Sequence, residues 1–214
     1  MLILEVAGCG KSVLASSVID TLSSMRSEDT SFAYYYCDYA DKISLEPITI
    51  LGTLVQSLLL SSEIIPQEVS ELIQESYHDG ERTPDTDEVF NILLKVMQLC
   101  SSIVLVLDGI DEVDEKNFYS VLSLLKKLLS APGVVVKLFV TSREHKDILS
   151  LLSPGTGEWY QVHIDQPLIS NDIESYIHHS VELLMASKRL IFNTSHTEIM
   201  QEISQRLVQG ANGM

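Results

Sequence analysis

The segment that most restricts this chain's fold lies near its start. An apolar run, Leu2–Val6, passes into Ala7-Gly8-Cys9-Gly10-Lys11-Ser12 and then directly into a helical pattern from Val13 to about Met25. A glycine-rich turn between a strand and a helix has a specific physical use. Glycines let the backbone curl until several N–H groups point inward at phosphate oxygens, and the helix N-terminus adds its dipole. A lysine at the helix start reaches the β- and γ-phosphates, and the following hydroxyl is a Mg²⁺ ligand. Gly8, Cys9, Gly10, Lys11, Ser12 and Val13 are therefore the candidate nucleotide-binding residues. The full pattern, G-x-x-x-x-G-K-[ST], also asks for glycine six residues before the lysine, where this chain has Glu5. A carboxylate there is bulkier than the turn prefers, and facing inward it would repel a triphosphate.

The rest of the chain repeats strand and helix. Phe32–Cys37, Ile103–Leu107, Val134–Thr141 and Trp159–Ile164 are further candidate strands. All but the last are near-continuous apolar or aromatic runs, as expected where both faces of a sheet are covered. The more mixed Trp159–Ile164 reads as an edge strand. Phe118, Val121, Leu122, Leu125, Leu128 and Leu129 fall on one helical face, and Ile173, Tyr176, Ile177, Leu184 and Met185 repeat the spacing after Asn171 and Asp172, either of which suits a cap. At 214 residues and 45% hydrophobic, the chain can bury one sizeable core. The fold class is α/β: a three-layer arrangement with a mainly parallel five-stranded sheet.

Two more strand ends carry chemistry. Ile103–Leu107 delivers Asp108-Gly109-Ile110-Asp111-Glu112 to the C-terminal edge, where open α/β sheets bind ligands. An aspartate there can hold Mg²⁺ through its water shell, a further acid can orient or deprotonate an attacking water, and Gly109 keeps room beside phosphates. Val134–Thr141 ends in hydroxyls and Arg143, a residue able to report on a γ-phosphate or stabilise transferred charge. Taken singly, the first is also an ordinary acidic turn, and Arg143 an exposed residue opening a helix at Glu144.

Charge removes other functions. Fourteen Lys and Arg against 30 Asp and Glu leave −16, the wrong balance for a nucleic-acid groove, which needs clustered cations to replace condensed counterions. Residues 63–88 hold nine acids against Arg82 alone, half of the net charge, and read as a solvated helical insertion with a turn at His78–Gly80 and a new helix after Pro84. An acidic docking surface is the functional alternative. Cys9, Cys37 and Cys100 form no C-x-x-C pair and no zinc spacing with the six histidines, so reduced, buried thiols are expected. Tyr34, Tyr35, Tyr36 and Tyr39 could form a stacking platform but read better as core. The apolar stretch Ile48–Leu60 is too short and too interrupted to span a bilayer, and the N-terminus lacks a basic region and a cleavage site. A cytoplasmic protein without membrane or nucleic-acid partners is the expectation.

In order along the chain, Gly-Cys-Gly-Lys-Ser-Val-Leu at 8–14, Ala-Tyr-Tyr-Tyr-Cys-Asp-Tyr at 33–39, Leu-Asp-Gly-Ile-Asp-Glu at 107–112, Lys-Leu-Phe-Val-Thr-Ser-Arg at 137–143, Asn-Asp-Ile-Glu-Ser-Tyr-Ile at 171–177 and Gly-Ala-Asn-Gly-Met at 210–214 resemble the NACHT family of signal-transducing P-loop ATPases. Within these STAND proteins the likeness is to the fungal type labelled nephrocystin-3-like N-terminal domain. The resemblance implies Asp108 as the Mg²⁺ residue with Ser12, Asp111 with adjacent Glu112 as the hydrolytic acid, and Arg143 as sensor. It also implies that strand 134–141 lies between the first strand and the Asp108 strand. Residues 1–165 would form the nucleotide-binding core, with 63–100 as its helical insertion, and 166–214 the start of a following helical region. The family's base-binding segment upstream and its helical, winged-helix and repeat regions downstream lie outside this sequence, which reads as a module cut at both ends.

Two functions follow as expectations. The first is a signalling switch that binds Mg²⁺ with ATP, or GTP, and hydrolyses it slowly, self-associating and meeting protein partners through flanking regions. The alternative is an interaction module with impaired catalysis that binds nucleotide weakly or not at all.

Overall fold

The computed structural model describes residues 1–5, 10–25, 30–62, 64–77, 80, 82–151, 159–164, 166–187, 202–203 and 205–207. Their five strands are β1 (Leu2–Glu5), β2 (Thr30–Tyr36), β3 (Ser102–Asp108), β4 (Val135–Ser142) and β5 (Gln161–Ile164). They lie in the order β2-β3-β4-β1-β5. The β2–β3, β3–β4 and β4–β1 pairs are parallel, with Tyr36 opposite Asp108, Leu107 opposite Val140 and Ile3 opposite Thr141. Each expected strand is present with its ends moved by one or two residues. β4 sits between β1 and β3, as the family likeness implied.

Helices cover both faces. On one side lie α2 (Pro47–Leu60), α4 (Thr86–Met97) and α5 (Glu115–Leu129), whose apolar faces close on Ala33, Tyr35, Ile103, Leu105, Leu107, Leu138 and Val140. Successive strand residues point to opposite faces, so Val106 and Phe139 belong to the other layer, where α1 (Lys11–Ser24) supplies Ala15 and Ile19. α1 is rich in hydroxyl side chains. Its serines and threonine turn back on their own helix, Ser16, Ser17 and Thr21 each donating to the carbonyl four residues earlier.

The run Ile48–Leu60 is α2, a helix apolar enough to bury Ile50, Leu51, Leu54, Val55 and Leu58, and Pro47 fits its first turn because no N–H is needed there. The acid-rich stretch is less solvated than its charge suggests. It forms α3 (Gln67–Tyr77) and enters α4, which starts one residue after Asp85. Asp85 and Glu88 make a reciprocal capping box, and Arg82 pairs with Glu88. Val89, Phe90, Ile92, Leu93, Val96 and Met97 are core. Acids therefore occupy the outer face and the cap of elements whose inner face is part of the main core.

Apart from Glu5 and the His163–Ile164 end of β5, all of this lies, with the short helix α6 (Lys146–Leu151), in one compact unit, Met1–Leu4 with Gly10–Val162. In a second unit, the described residues from His163 onward form mainly α7 (Gln166–Ala186) with Val181 buried. Asn171 and Asp172 lie inside α7 and do not cap it, which corrects the expected start: the helix opens at Gln166, its first turn accommodating Pro167. Tyr176, assigned to the apolar face, is 73% exposed. The expected terminal motif at 210–214 lies outside the described residues.

Candidate functional site

Four segments of the first unit meet at the C-terminal edge of the sheet. α1 contributes its first turn. Gly10, at φ 93°, turns the chain in the left-handed conformation that side chains resist, and the helix begins at Lys11. The N–H groups of this turn have no side-chain cap. Lys11 is half-buried, Ser12 and Val13 exposed. Gly8 and Cys9 lie outside the described residues.

β3 carries Asp108 into the same place. Its carboxyl group, 4% exposed, is held from two sides. Ser12 Oγ donates to Oδ2 at 2.6 Å, joining residues 96 apart in sequence, and Thr141 Oγ1 donates to Oδ1 at 2.5 Å. Thr141 is itself fully buried and accepts the Gly109 N–H at 2.9 Å. Gly109 has φ 70°, and a Cβ there would lie 3.3 Å from the Cys37 carbonyl oxygen. The backbone itself thus favours glycine at this position.

After Gly109, a single turn of 3₁₀ helix, Ile110–Glu112, separates the two following acids. Asp111 faces Arg143 at the end of β4. Its Oδ1 accepts the Arg143 backbone N–H at 3.0 Å, and its Oδ2 lies 3.2 Å from Nε. Glu112 goes elsewhere: its Oε2 accepts the Tyr39 N–H at 2.8 Å, fastening the loop after β2. Ser12 with Asp108, and Asp111 with Arg143, are brought together as pairs. Glu112 is adjacent in sequence but has its own partner. Beneath them, the Cys37 thiol is pushed up to about 12, first by burial and then by the carboxylates of Glu112, Asp108 and Asp111.

Thr141 was not among the residues singled out, although the hydroxyls ending its strand were visible in the sequence. Tyr36 was also missed as a site neighbour. It stands beside Asp108 across the β2–β3 pair, and its hydroxyl lies 2.9 Å from Ser16 Oγ, one turn into α1.

Ser12 Oγ and Asp108 Oδ2 are adjacent hard oxygens, the donor type that suits Mg²⁺, a cation bound by one or two protein oxygens with waters and phosphate completing its shell. The donor set fits that ion. Two cavities lie away from this edge. One of about 580 Å³ is lined by α2, α3 and α4, and one of about 740 Å³ by Met1, Val18, Leu22 and β4 residues. Neither includes the residues above, and their apolar walls offer no comparable chemistry.

A family model described as Nephrocystin 3, N-terminal, matches residues 2–143, from β1 through Arg143. No curated protein matches the chain. Among solved structures, the Orc1 protein of Aeropyrum pernix in complex with DNA is similar, with TM-score 0.54 and 15% identity over 87% of this chain and 48% of that one. Cdc6p from Pyrobaculum aerophilum gives TM-score 0.55 and 19% identity over 95% and 47%. The chain thus spans about half the length of those proteins. At such identities the likeness is one of fold, the α/β fold of P-loop NTPases.

Proposed function

The chain belongs to the Nephrocystin 3, N-terminal family of P-loop NTPase domains, and from that premise we propose that it is a nucleotide-dependent signalling switch, binding ATP in preference to GTP together with Mg²⁺ and hydrolysing it slowly. The observation that carries this reading is the Ser12–Asp108 contact at 2.6 Å. Two residue types that serve as cation ligands meet at the start of α1, a helix N-terminus without a side-chain cap.

The roles follow from position. The turn through Gly8, Cys9, Gly10 and Val13 would offer N–H groups to phosphate oxygens, and Lys11 the charge for the β- and γ-phosphates. Ser12 and Asp108 would hold Mg²⁺, which when bound neutralises phosphate charge. Asp111 would orient a water, with Glu112 fixing the neighbouring loop, and Arg143 would be the cation for the γ-phosphate. The slow rate has a structural rationale: both Asp111 oxygens are occupied by Arg143, which lowers that carboxylate's availability as a base. Residues 1–165 act as the nucleotide-binding core and 166–214 as the beginning of a further helical region. The charge of −16 argues against nucleic acid as partner. No helix among the described residues is long and apolar enough to cross a membrane. The cytoplasm is the proposed compartment, with self-association and protein partners engaged through flanking regions.

Thermal denaturation tests the reading. Mg·ATP should raise the melting temperature progressively with concentration, as a ligand specific to the folded state does, with a smaller rise for GTP. Lys11→Ala should abolish the rise. No rise at millimolar Mg·ATP overturns the proposal. Binding without turnover would instead favour the catalytically impaired interaction module, which the occupied Asp111 carboxylate also suits, whereas turnover that survives Asp111→Asn would remove Asp111 from the hydrolytic role.

A further inference from the structure

We infer that Thr141 is the positioning residue of the cation site: it fixes which oxygen of Asp108 is presented to Ser12, and so to Mg²⁺. The inference rests on the nucleotide reading above and adds to it a residue with no phosphate or cation contact of its own. Thr141 is fully buried and stands opposite Asp108 across the β3–β4 pair, one place beyond the Leu107–Val140 register. Its hydroxyl has one proton and two lone pairs. The Gly109 N–H can only donate, and it occupies one lone pair at 2.9 Å. The Asp108 carboxylate can only accept, so the hydroxyl proton goes to Oδ1, at 2.5 Å. Neither bond can reverse direction. Oδ1 is therefore committed to the protein, and Oδ2 is the oxygen left facing Ser12 at 2.6 Å.

The same contact fixes the backbone that follows. Gly109 is the left-handed residue from which the Ile110–Glu112 turn departs, and its N–H is tied to Thr141. Two residues further on, just past the end of β4, Arg143 holds Asp111. This end of β4 thus grips both acids of the Asp108-x-x-Asp111 pair, one through a neutral hydroxyl and one through a guanidinium. A valine at 141 would keep the shape and the methyl group but take from Oδ1 and the Gly109 N–H the buried hydroxyl that partners both. Carboxylates supporting a metal are commonly oriented in this way, and loss of such a partner typically costs 10- to 100-fold in metal affinity.

The test is a Mg²⁺ titration at fixed ATP, followed by thermal denaturation, on the unsubstituted protein, Thr141→Val and Thr141→Ser. Thr141→Val is expected to raise the Mg²⁺ concentration at half-maximal stabilisation about tenfold or more, while the smaller stabilisation by ATP with EDTA changes by less than about twofold. Thr141→Ser keeps the hydroxyl and should stay within about twofold of the unsubstituted protein. Should Thr141→Val not fold, the serine variant still decides: loss of its Mg²⁺ response overturns the inference, because the hydroxyl is the claimed agent. An unchanged Mg²⁺ midpoint in folded Thr141→Val also overturns it, leaving the nucleotide reading intact. Absence of any Mg·ATP response in the unsubstituted protein removes the nucleotide reading itself, and this inference with it.

Discussion

The site edge depends on two residues that are small or neutral, and each makes a separate prediction. Gly109 combines φ 70° with a Cβ position 3.3 Å from the Cys37 carbonyl oxygen. Alanine there costs the left-handed penalty, about 1–2 kcal/mol, before any movement of the β2 end is counted. Urea unfolding of Gly109→Ala should show a loss of at least that size, and an unchanged midpoint would contradict the local backbone geometry. Cys37 is held neutral by burial and by three nearby carboxylates, its thiol near 12 against an ordinary 9.0. Since the thiolate is the reactive form, iodoacetamide at pH 8 should leave Cys37 unmodified in the folded protein and modify it in urea, read by mass spectrometry. The linkage has a definite sign. A group whose folded value is raised contributes its stability below the unfolded value, here about 9, and loses it as pH rises toward 12. Alkaline destabilisation across that window should be smaller in Cys37→Ala, a variant with no thiol to ionise.

Among the elements, α4 shows most clearly where sequence patterns succeed and fail. Asp87 and Glu88, with the capping Asp85, are three of the nine acids that make residues 63–88 read as a solvated insertion. The i, i+3, i+4 spacing of Val89, Phe90, Ile92, Leu93, Val96 and Met97 was equally present, and it is the face the core uses. Leu93 is fully buried among these residues. Leu93→Ala should therefore cost about 2–5 kcal/mol, the range for deleting a packed leucine, whereas a solvated insertion would lose well under 1 kcal/mol. Equilibrium denaturation separates the two. The strands were legible because burial on both faces leaves an uninterrupted apolar run, and the start of α1 because Gly10 takes the left-handed conformation just before it. Less local features were not legible. Nothing near Glu112 in sequence indicates that the Tyr39 N–H will fold over it. Thr141 looked like any hydroxyl ending a strand until the β3–β4 register set it against Asp108. The start of α7 was misplaced because Asn171 and Asp172 suit a cap equally well wherever they stand, while a proline in the first turn marks a helix start only when the turn is already known.

At the scale of the whole molecule, the charge of −16 has to be reconciled with a site for an anion. The acids are unevenly placed. Many lie on the outer faces and caps of α3 and α4, and Asp108, Asp111, Glu112, Asp114 and Glu115 crowd the edge where the phosphates are proposed to sit. Asp111 is paired with Arg143, and Asp108 lies beside Ser12 in a position that suits a cation. A compact anion that brings its own Mg²⁺ can be accommodated there, because the ion offsets phosphate and carboxylate together. A polyanion cannot, since its affinity comes from many Lys and Arg contacts that displace counterions over an extended surface. The protein should accordingly give no band shift with a 30-base-pair DNA duplex at 50 mM salt, where surface electrostatics act over more than about 10 Å. Raising the salt to 1 M shortens that range to about 3 Å. It should then raise the melting temperature of the free protein by relieving repulsion among its acids. A duplex shift that disappears on adding salt would mean that a local basic surface outweighs the net charge, and the exclusion of nucleic acid would fall while the Mg·ATP reading stood.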